Sequence, residues 1–269
     1  MRGKPKLTPN EFLAKRIEWR RIRLRDTVRY AKPGKIIEFG CGKGLVLQIL
    51  SEKFPESVIV GVDISKSALK EADKIKLKNV ALIQANILDK IFINNSFDSC
   101  LFIGSLHEIY SQAGKKGVNK ALKNAYRILK NDGILIIDDF LKPKPKIVKL
   151  SFNNEQTRRR FYSFARGYKP RVIKFEELNG NVYLDLVDAL EFISKYRSPT
   201  LKAWKNELKE AHSFFTLSEY KNSLTTLGFS PLIIKKIPYR SKELWAEIKK
   251  DIDFIYEKEY KGVLIVAQK

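Results

Sequence analysis

The chain has 269 residues, enough to bury one large core or two smaller ones. With 44% hydrophobic and 30% charged residues it reads as folded and soluble, not disordered, and no apolar run is long enough to cross a bilayer. The net charge is +22, and residues 1–35 (twelve Lys/Arg against three Asp/Glu) and 142–171 (ten against one) hold +18 of it. That concentration has two readings. One is a lysine-rich surface of thermophile type; the other is two basic patches that attract a polyanion or an anionic membrane face. The basic start Met1–Lys6 runs straight into charged sequence, so no secretory signal is expected. Cys41 and Cys100 are the only cysteines, His107 and His212 the only histidines, and neither pair has metal-ligand spacing. A cytoplasmic protein that uses no metal is expected.

Residues 10–31 place Phe12, Leu13, Ile17, Ile22, Leu24, Val28 and Tyr30 near helical spacing, with Asn10 as N-cap and Pro33-Gly34 as the stop. Short apolar runs then alternate with amphipathic stretches. Strands are predicted at Lys35–Phe39, Ser57–Asp63, Val80–Gln84, Phe97–Ile103 and Ile134–Asp138. Helices are predicted at Leu45–Lys53, Lys66–Leu77 and Lys116–Lys130, with Asn131-Asp132-Gly133 as a turn. The alternation signals a parallel sheet with helices on both faces, and the runs IIEF (apolar apart from Glu38), VIVGV and ILII suit strands buried on both sides. From Leu141 to His212 the sequence is basic, aromatic and irregular, with two helices predicted at Asn154–Ala165 and Leu184–Tyr196. Thr216-Leu217-Ser218-Glu219 is a capping-box start to a helix that ends near Leu227-Gly228. Strands at Pro231–Ile237 and Gly262–Ala267 flank a helix over Lys242–Tyr256. The expected organisation is a cofactor-binding part with the N-terminal helix (1–140), an inserted cap (141–212), and a C-terminal completion of the same sheet (213–269).

The chemistry concentrates in Glu38-Phe39-Gly40-Cys41-Gly42-Lys43-Gly44, where a strand runs into three glycines at alternate positions and then a helix. Glycines suit a chain that must turn sharply and let its backbone approach a ligand closely. Asp63 closes the next strand, where a carboxylate can accept both hydroxyls of a ribose. A dinucleotide loop would read GxGxxG, with a helix N-terminus facing a pyrophosphate. Here the spacing is GxGxG with Lys43 inside it, and Glu38 suits a ligand that carries an ammonium. S-adenosylmethionine has an ammonium, a carboxylate, a ribose and a sulfonium, and no phosphate.

The glycine loop, Asp63 after Val58–Val62, and the run Gln84-Ala85-Asn86-Ile87-Leu88-Asp89 resemble the first three cofactor motifs of the class I, Rossmann-like S-adenosylmethionine-dependent methyltransferases. Phe97–Phe102 and Tyr126–Leu135 resemble the fourth motif and the helix, turn and strand that follow it. Residues 189–193, 214–220 and 106–111 are similar to a prokaryotic subgroup of methyltransferase-domain proteins whose acceptors are unassigned. The resemblance implies a seven-stranded, mostly parallel, doubly wound α/β sheet, with a basic, aromatic helical cap inserted. It implies that Glu38, Gly40, Gly42 and Gly44 hold the methionine end, Cys41 contributing backbone only. Asp63 would take the ribose and Ile64 stack beside the adenine. Asn86, with Ile87, stands where the family often has an aspartate for the adenine amino group, and Ile103 and Gly104 would lie beside the methyl-donor end.

Methyl transfer is an in-line displacement at a sulfonium, so the protein has to position a nucleophile and sometimes remove a proton. His107 after the fourth strand is a candidate base, with Glu108 and Tyr110 orienting the acceptor; a structural histidine is the alternative. The chain has no (Asp/Asn)-Pro-Pro-(Tyr/Phe) run for exocyclic base amines and no Pro-Cys nucleophile for cytosine C5 chemistry. Arg158, Arg159, Tyr162 and Arg166 are candidate substrate contacts within a stretch that interleaves cations and rings. That mixture suits phosphate contact with base stacking, or a cap that folds its rings onto a small acceptor. An anionic acceptor, RNA slightly ahead, is expected. The alternatives are a small-molecule or lipid-head-group methyltransferase with an incidental basic surface, and a non-catalytic binding protein on the same scaffold.

Overall fold

The computed structural model describes residues 6–238, 240–255 and 261–269. The cationic residues of the first five positions, and Tyr256 itself, lie outside that set; the helix predicted over Lys242–Tyr256 ends at Lys249, and Ile252–Asp253 is a strand. The chain divides into two compact units. One comprises Arg21–Phe140, Leu217–Ile237 and Gly262–Lys269; the other comprises Met1–Arg20, Leu141–Thr216 and Pro238–Lys261. The division departs from the expected boundaries at both ends of the chain, because the first helical turns and Pro238–Lys261 group with the inserted segment.

The larger unit holds the sheet that the apolar runs predict. Its strands are β1 (Lys35–Phe39), β2 (Val58–Asp63), β3 (Val80–Gln84), β4 (Phe97–Ile103), β5 (Leu129–Phe140), β9 (Ser230–Pro238) and β11 (Lys261–Gln268). Among the described residues they form one seven-stranded sheet, in the order β3-β2-β1-β4-β5-β11-β9. The pairs β1–β2, β2–β3, β1–β4 and β4–β5 are parallel, and β11 runs antiparallel to β5. Ile36, Ile37, Ile59, Val62, Leu101, Phe102, Ile136 and Ile137 are fully buried, which is why those strands carry no polar alternation. Helices α2 (Leu45–Lys53), α3 (Lys66–Asp73), α4 (Leu106–Ile128) and α8 (Leu217–Thr226) belong to this unit. The strand order reverses between β1 and β4, so their carboxyl ends open the crevice in which such sheets bind ligands.

Two boundaries differ for local reasons. Helix α1 (Pro9–Val28) is capped by Thr8, not Asn10. The Thr8 N–H donates to Glu11 Oε2 (2.8 Å) and the Glu11 N–H to Thr8 Oγ1 (3.3 Å), a reciprocal capping box with Pro9 in the first helical position. Helix α4 begins ten residues before its predicted start and bends at Gly114 (φ 60°), so His107, Glu108 and Tyr110 sit on a helix and not in a loop.

The smaller unit corrects the expectation of a helical cap. Strands β6 (Ile147–Phe152), β7 (Phe175–Leu178), β8 (Asn181–Asp185) and β10 (Ile252–Asp253) make an antiparallel sheet in the order β10-β6-β8-β7. With it go α5 (Glu155–Gly167), α6 (Leu186–Lys195), α7 (Leu201–Glu207) and α9 (Lys242–Lys249). The β7–β8 hairpin turns on Asn179 (φ 51°) and Gly180 (φ 74°), with Leu178 paired to Asn181. This Asn-Gly dipeptide beside the alternating Val182 and Leu184 is a strong local hairpin signal that the basic, aromatic composition masked. Phe161, Phe164 and Phe192 are fully buried and pack ring to ring with Phe152 and Tyr168. The interleaved aromatics are therefore this unit's core, and those buried rings present no face on which a base can stack.

Candidate active site

The glycine loop takes the backbone that its spacing predicts. Gly40, Gly42 and Gly44 have φ of 78°, 53° and 82°, and the Gly40 and Cys41 N–H groups donate to the Val62 carbonyl oxygen at 2.8 and 3.0 Å. A side chain at Gly40 would put its Cβ 2.5 Å from Ser105 Cβ, whereas one at Gly42 would point into open space. Gly40 is thus required by packing and Gly42 by the backbone's left-handed turn alone.

Asp63 is fixed by that loop. Its Oδ2 accepts the Gly42 N–H and its Oδ1 the Ser65 N–H, each at 2.8 Å. A carboxylate has about four acceptor positions, so both oxygens keep capacity for ribose hydroxyls. Gly40, Asp63, Ile64, Asn86 and Ile87 share the wall of a cavity of about 90 Å³ with Glu108. Ile64 is 60% exposed, an apolar side chain left at the rim where a planar ring can cover it. Asn86 Oδ1 accepts the Leu88 N–H at 2.9 Å, so a contact with an amino group falls to its remaining lone pair. Asn124 Nδ2 donates to the Ile87 carbonyl (2.9 Å) and holds this loop against α4.

Other predicted residues lie outside the cavity wall. Glu38 is 1% exposed within β1, and Ile103 is buried at the end of β4. Gly104 turns with φ 67° and donates to the Asp138 carbonyl at 2.7 Å. Burial, with Glu38 and Asp63 nearby, pushes the Cys41 thiol well up, so the thiolate is disfavoured. Ser105, Ile109 and Gln112 line the cavity and were missed. Their spacing of three to four residues around Glu108 is the helical signal, hidden because the helix was placed too late.

His107 and Tyr110 do not line the cavity, but His107 is held by a residue that sequence reasoning passed over. Asp139, fully buried at the end of β5, meets His107 Nδ1 through Oδ1 at 2.8 Å. Its Oδ2 accepts the N–H groups of Leu106 (2.9 Å) and His107 (3.2 Å), so one carboxylate caps α4 and orients the imidazole. Phe140 packs edge-on to the ring, 5.1 Å between centroids. With Nδ1 donating to Asp139, the buried carboxylate sets the tautomer and the plane of the imidazole. The signal in the sequence was the acidic pair Asp138-Asp139 closing an apolar strand.

Four cations of the first basic stretch have carboxylate partners within the larger unit. Arg23 forms an ion pair with Asp138, Arg21 and Arg25 reach Glu52 at 3.1 and 3.8 Å, and Lys32 meets Asp132 at 2.8 Å. Of the candidate substrate residues, Arg158 donates to the Gly180 carbonyl (2.9 Å) and Tyr162 to Glu177 (2.7 Å), which ties both to the hairpin. Arg166 is exposed, and Arg159 lines a separate cavity of the smaller unit.

A doubly wound sheet with a glycine turn after β1 and an acid at the end of β2 defines an α/β fold built to hold a nucleoside. Residues 31–211, more than half of the chain, match the sequence model of the methyltransferase domain family, and the chain belongs to that family. It is 31% identical over 144 residues to a ubiquinone/menaquinone biosynthesis C-methyltransferase of Geotalea uraniireducens, covering 51% of this chain and 57% of that protein. It is 25% identical over 195 residues to a malonyl-[acyl-carrier protein] O-methyltransferase of Bacillus cereus, covering 72% of this chain and 64% of that one. The matched stretches thus span less than two thirds of each of these relatives. An S-adenosylmethionine-dependent methyltransferase of Mesorhizobium loti has the same fold at 15% identity, with a TM-score of 0.57 over 94% of this chain and 98% of that one. Among the described residues no helix is long and apolar enough to cross a membrane.

Proposed function

We propose that this protein transfers a methyl group from S-adenosylmethionine to a small-molecule acceptor, with His107 as the base where the acceptor must lose a proton. The observation that carries the reading is Asp63, locked by the Gly42 and Ser65 N–H groups on a cavity wall shared with Gly40, Asn86 and Glu108. A nucleoside bearing a charged side chain fits that donor and acceptor set. When bound, S-adenosylmethionine supplies an electrophilic methyl group at a sulfonium.

The protein's own part is positioning. Asp63 would hold the ribose hydroxyls, Ile64 would cover the adenine, and Glu38 and the glycine turn would receive the methionine end. His107, oriented by buried Asp139, would take the proton of an acceptor that must lose one. Glu108 on the cavity wall would orient the acceptor.

A small acceptor is favoured over RNA for two reasons. Phe161, Phe164 and Tyr168, rings expected to stack on bases, are core, and Arg21, Arg23, Arg25 and Lys32 have carboxylate partners. The relatives named for quinone biosynthesis and for malonyl-[acyl-carrier protein] point the same way. The test is calorimetric titration with S-adenosylmethionine and, separately, NADH, against Asp63→Ala. Selective binding that the variant loses by tenfold or more supports the reading. Folded protein that binds neither would overturn it and leave the non-catalytic scaffold.

A further inference from the structure

The smaller unit contains a cavity of about 470 Å³, far larger than the one beside Asp63 and built from other residues. Lys6, Arg159, Arg160 and Arg197 line it, with Asp251 as the single carboxylate among the lining residues. Helix α5 supplies the central cations, and its first turn is fixed in place. Asn154 accepts the Thr157 N–H at 2.8 Å and donates through Nδ2 to Asp251 at 3.0 Å.

The charges do not balance. Asp251 receives Lys6 at 2.5 Å, Arg197 at 2.7 Å and the Tyr196 hydroxyl at 3.0 Å, while Glu247, which does not line the cavity, reaches Arg197 at 3.8 Å and is shared with Lys250. Burial alone would raise this carboxyl, but the hydrogen bonds and charges of Lys6 and Arg197 hold it below the usual range. Arg159 meets Glu155 at 3.0 Å, yet both side chains are mostly exposed, so water screens the pair.

Arg160 is the decisive residue. It is half-buried, its Nε donates to the Tyr196 carbonyl oxygen at 3.2 Å, and its guanidinium lies 3.7 Å from the centre of the Trp204 ring. Both contacts fix the plane of the guanidinium and neither neutralises it. Among the described residues no carboxylate comes within ion-pair reach of it. A cation partly withdrawn from water without a counter-charge is costly, and an anion placed beside it recovers that cost. A guanidinium held in one plane presents a fork that matches an oxyanion edge.

We propose that this cavity is a binding site for a small phosphate-bearing ligand, gripped by Arg160 and Arg159. An uncompensated Arg160 beside Arg159, whose pair with Glu155 is exposed to water, favours a phosphate dianion or a diphosphate over a single carboxylate. The volume falls in the range of small-molecule sites, about 300–1,000 Å³. Stacking bases would need exposed rings, and this unit keeps Phe161 and Phe164 buried.

The test is titration of the full chain with inorganic pyrophosphate and with inorganic phosphate at low ionic strength, using Arg160→Met, Arg159→Met and Arg166→Met. Losing a charge-assisted grip on phosphate costs about 1.5–3 kcal/mol, so Arg160→Met should weaken pyrophosphate binding about tenfold or more. Arg159→Met should weaken it several-fold, and Arg166→Met, exposed on the same helix and outside the cavity, should leave it within twofold. Arg159 is a surface side chain, so its variant tests the site even if Arg160→Met unfolds. Three results overturn the proposal: no saturable binding at millimolar pyrophosphate, binding that both cavity variants leave within twofold, or a bound oligonucleotide that pyrophosphate does not displace. Asp63→Ala should leave pyrophosphate binding within twofold, so this site and the methyl-transfer reading fail separately.

Discussion

Gly40→Ala is the sharpest test of the glycine turn. Two penalties combine there. A Cβ at φ 78° meets the left-handed backbone cost of about 1–2 kcal/mol. That Cβ would also stand 2.5 Å from Ser105 Cβ, and forcing such an overlap in a packed site costs about 1–3 kcal/mol more. Ser105 cannot yield freely, because its Oγ donates to the Phe39 carbonyl oxygen at 2.8 Å. The expected loss is therefore about 2–5 kcal/mol. Gly42→Ala is the matched control: its φ of 53° carries the backbone cost, with nothing within 4 Å of the added carbon. Urea unfolding should place Gly40→Ala below Gly42→Ala by about 1–3 kcal/mol. The double variant Gly40→Ala/Ser105→Gly should recover part of that gap. Equal losses in the two alanine variants, or no recovery in the double, would refute the steric argument for Gly40.

Four further outcomes follow from the same structure. His107→Gln should lower turnover of a proton-losing acceptor about 10²–10⁴-fold while leaving the dissociation constant for S-adenosylmethionine within threefold, measured by transfer of labelled methyl and by calorimetry. Tyr220→Phe deletes the hydrogen bond from a fully buried hydroxyl to the Phe140 carbonyl (3.2 Å) and should cost about 1 kcal/mol in chemical denaturation. Glu191 lies beside the buried Lys195 Nζ at 3.0 Å; burial would raise its carboxyl, but Lys195, His212 and Arg171 hold it down at about 2. A depressed carboxyl stabilises the fold above its unfolded value near 4.5 and loses that contribution as pH falls toward 2. Thermal melts should therefore drop across that window. Glu191→Gln should abolish that part of the slope and cost about 3–5 kcal/mol at neutral pH, because Lys195 is left with only Glu207 at 3.7 Å.

The sequence by itself determined the sheet and the cofactor loop. Strands buried on both faces are mostly apolar, as at Ile36-Ile37, Ile59–Val62 and Ile134–Ile137, and a left-handed turn tight against a neighbour must be glycine, as at Gly40. Such constraints act over a few residues, so they are written locally. Asp63 was legible for the same reason, since it sits at a fixed distance beyond the turn. The smaller unit was not, because its strands alternate within a basic segment, where Lys149 between Val148 and Leu150 looks like surface charge instead of the outer face of a strand.

Only the tertiary structure decided which charges are satisfied. Nothing near position 107 in the chain announces Asp139, and nothing near Arg23 announces Asp138. Arg160 and Arg166 look equivalent in a list of cations. Folding pairs one helix face with Trp204 and a cavity and leaves the other in water. Charge composition is additive along a chain, but the energy of a charge depends on its neighbours in space and on its exposure to water, and those are set when the elements pack.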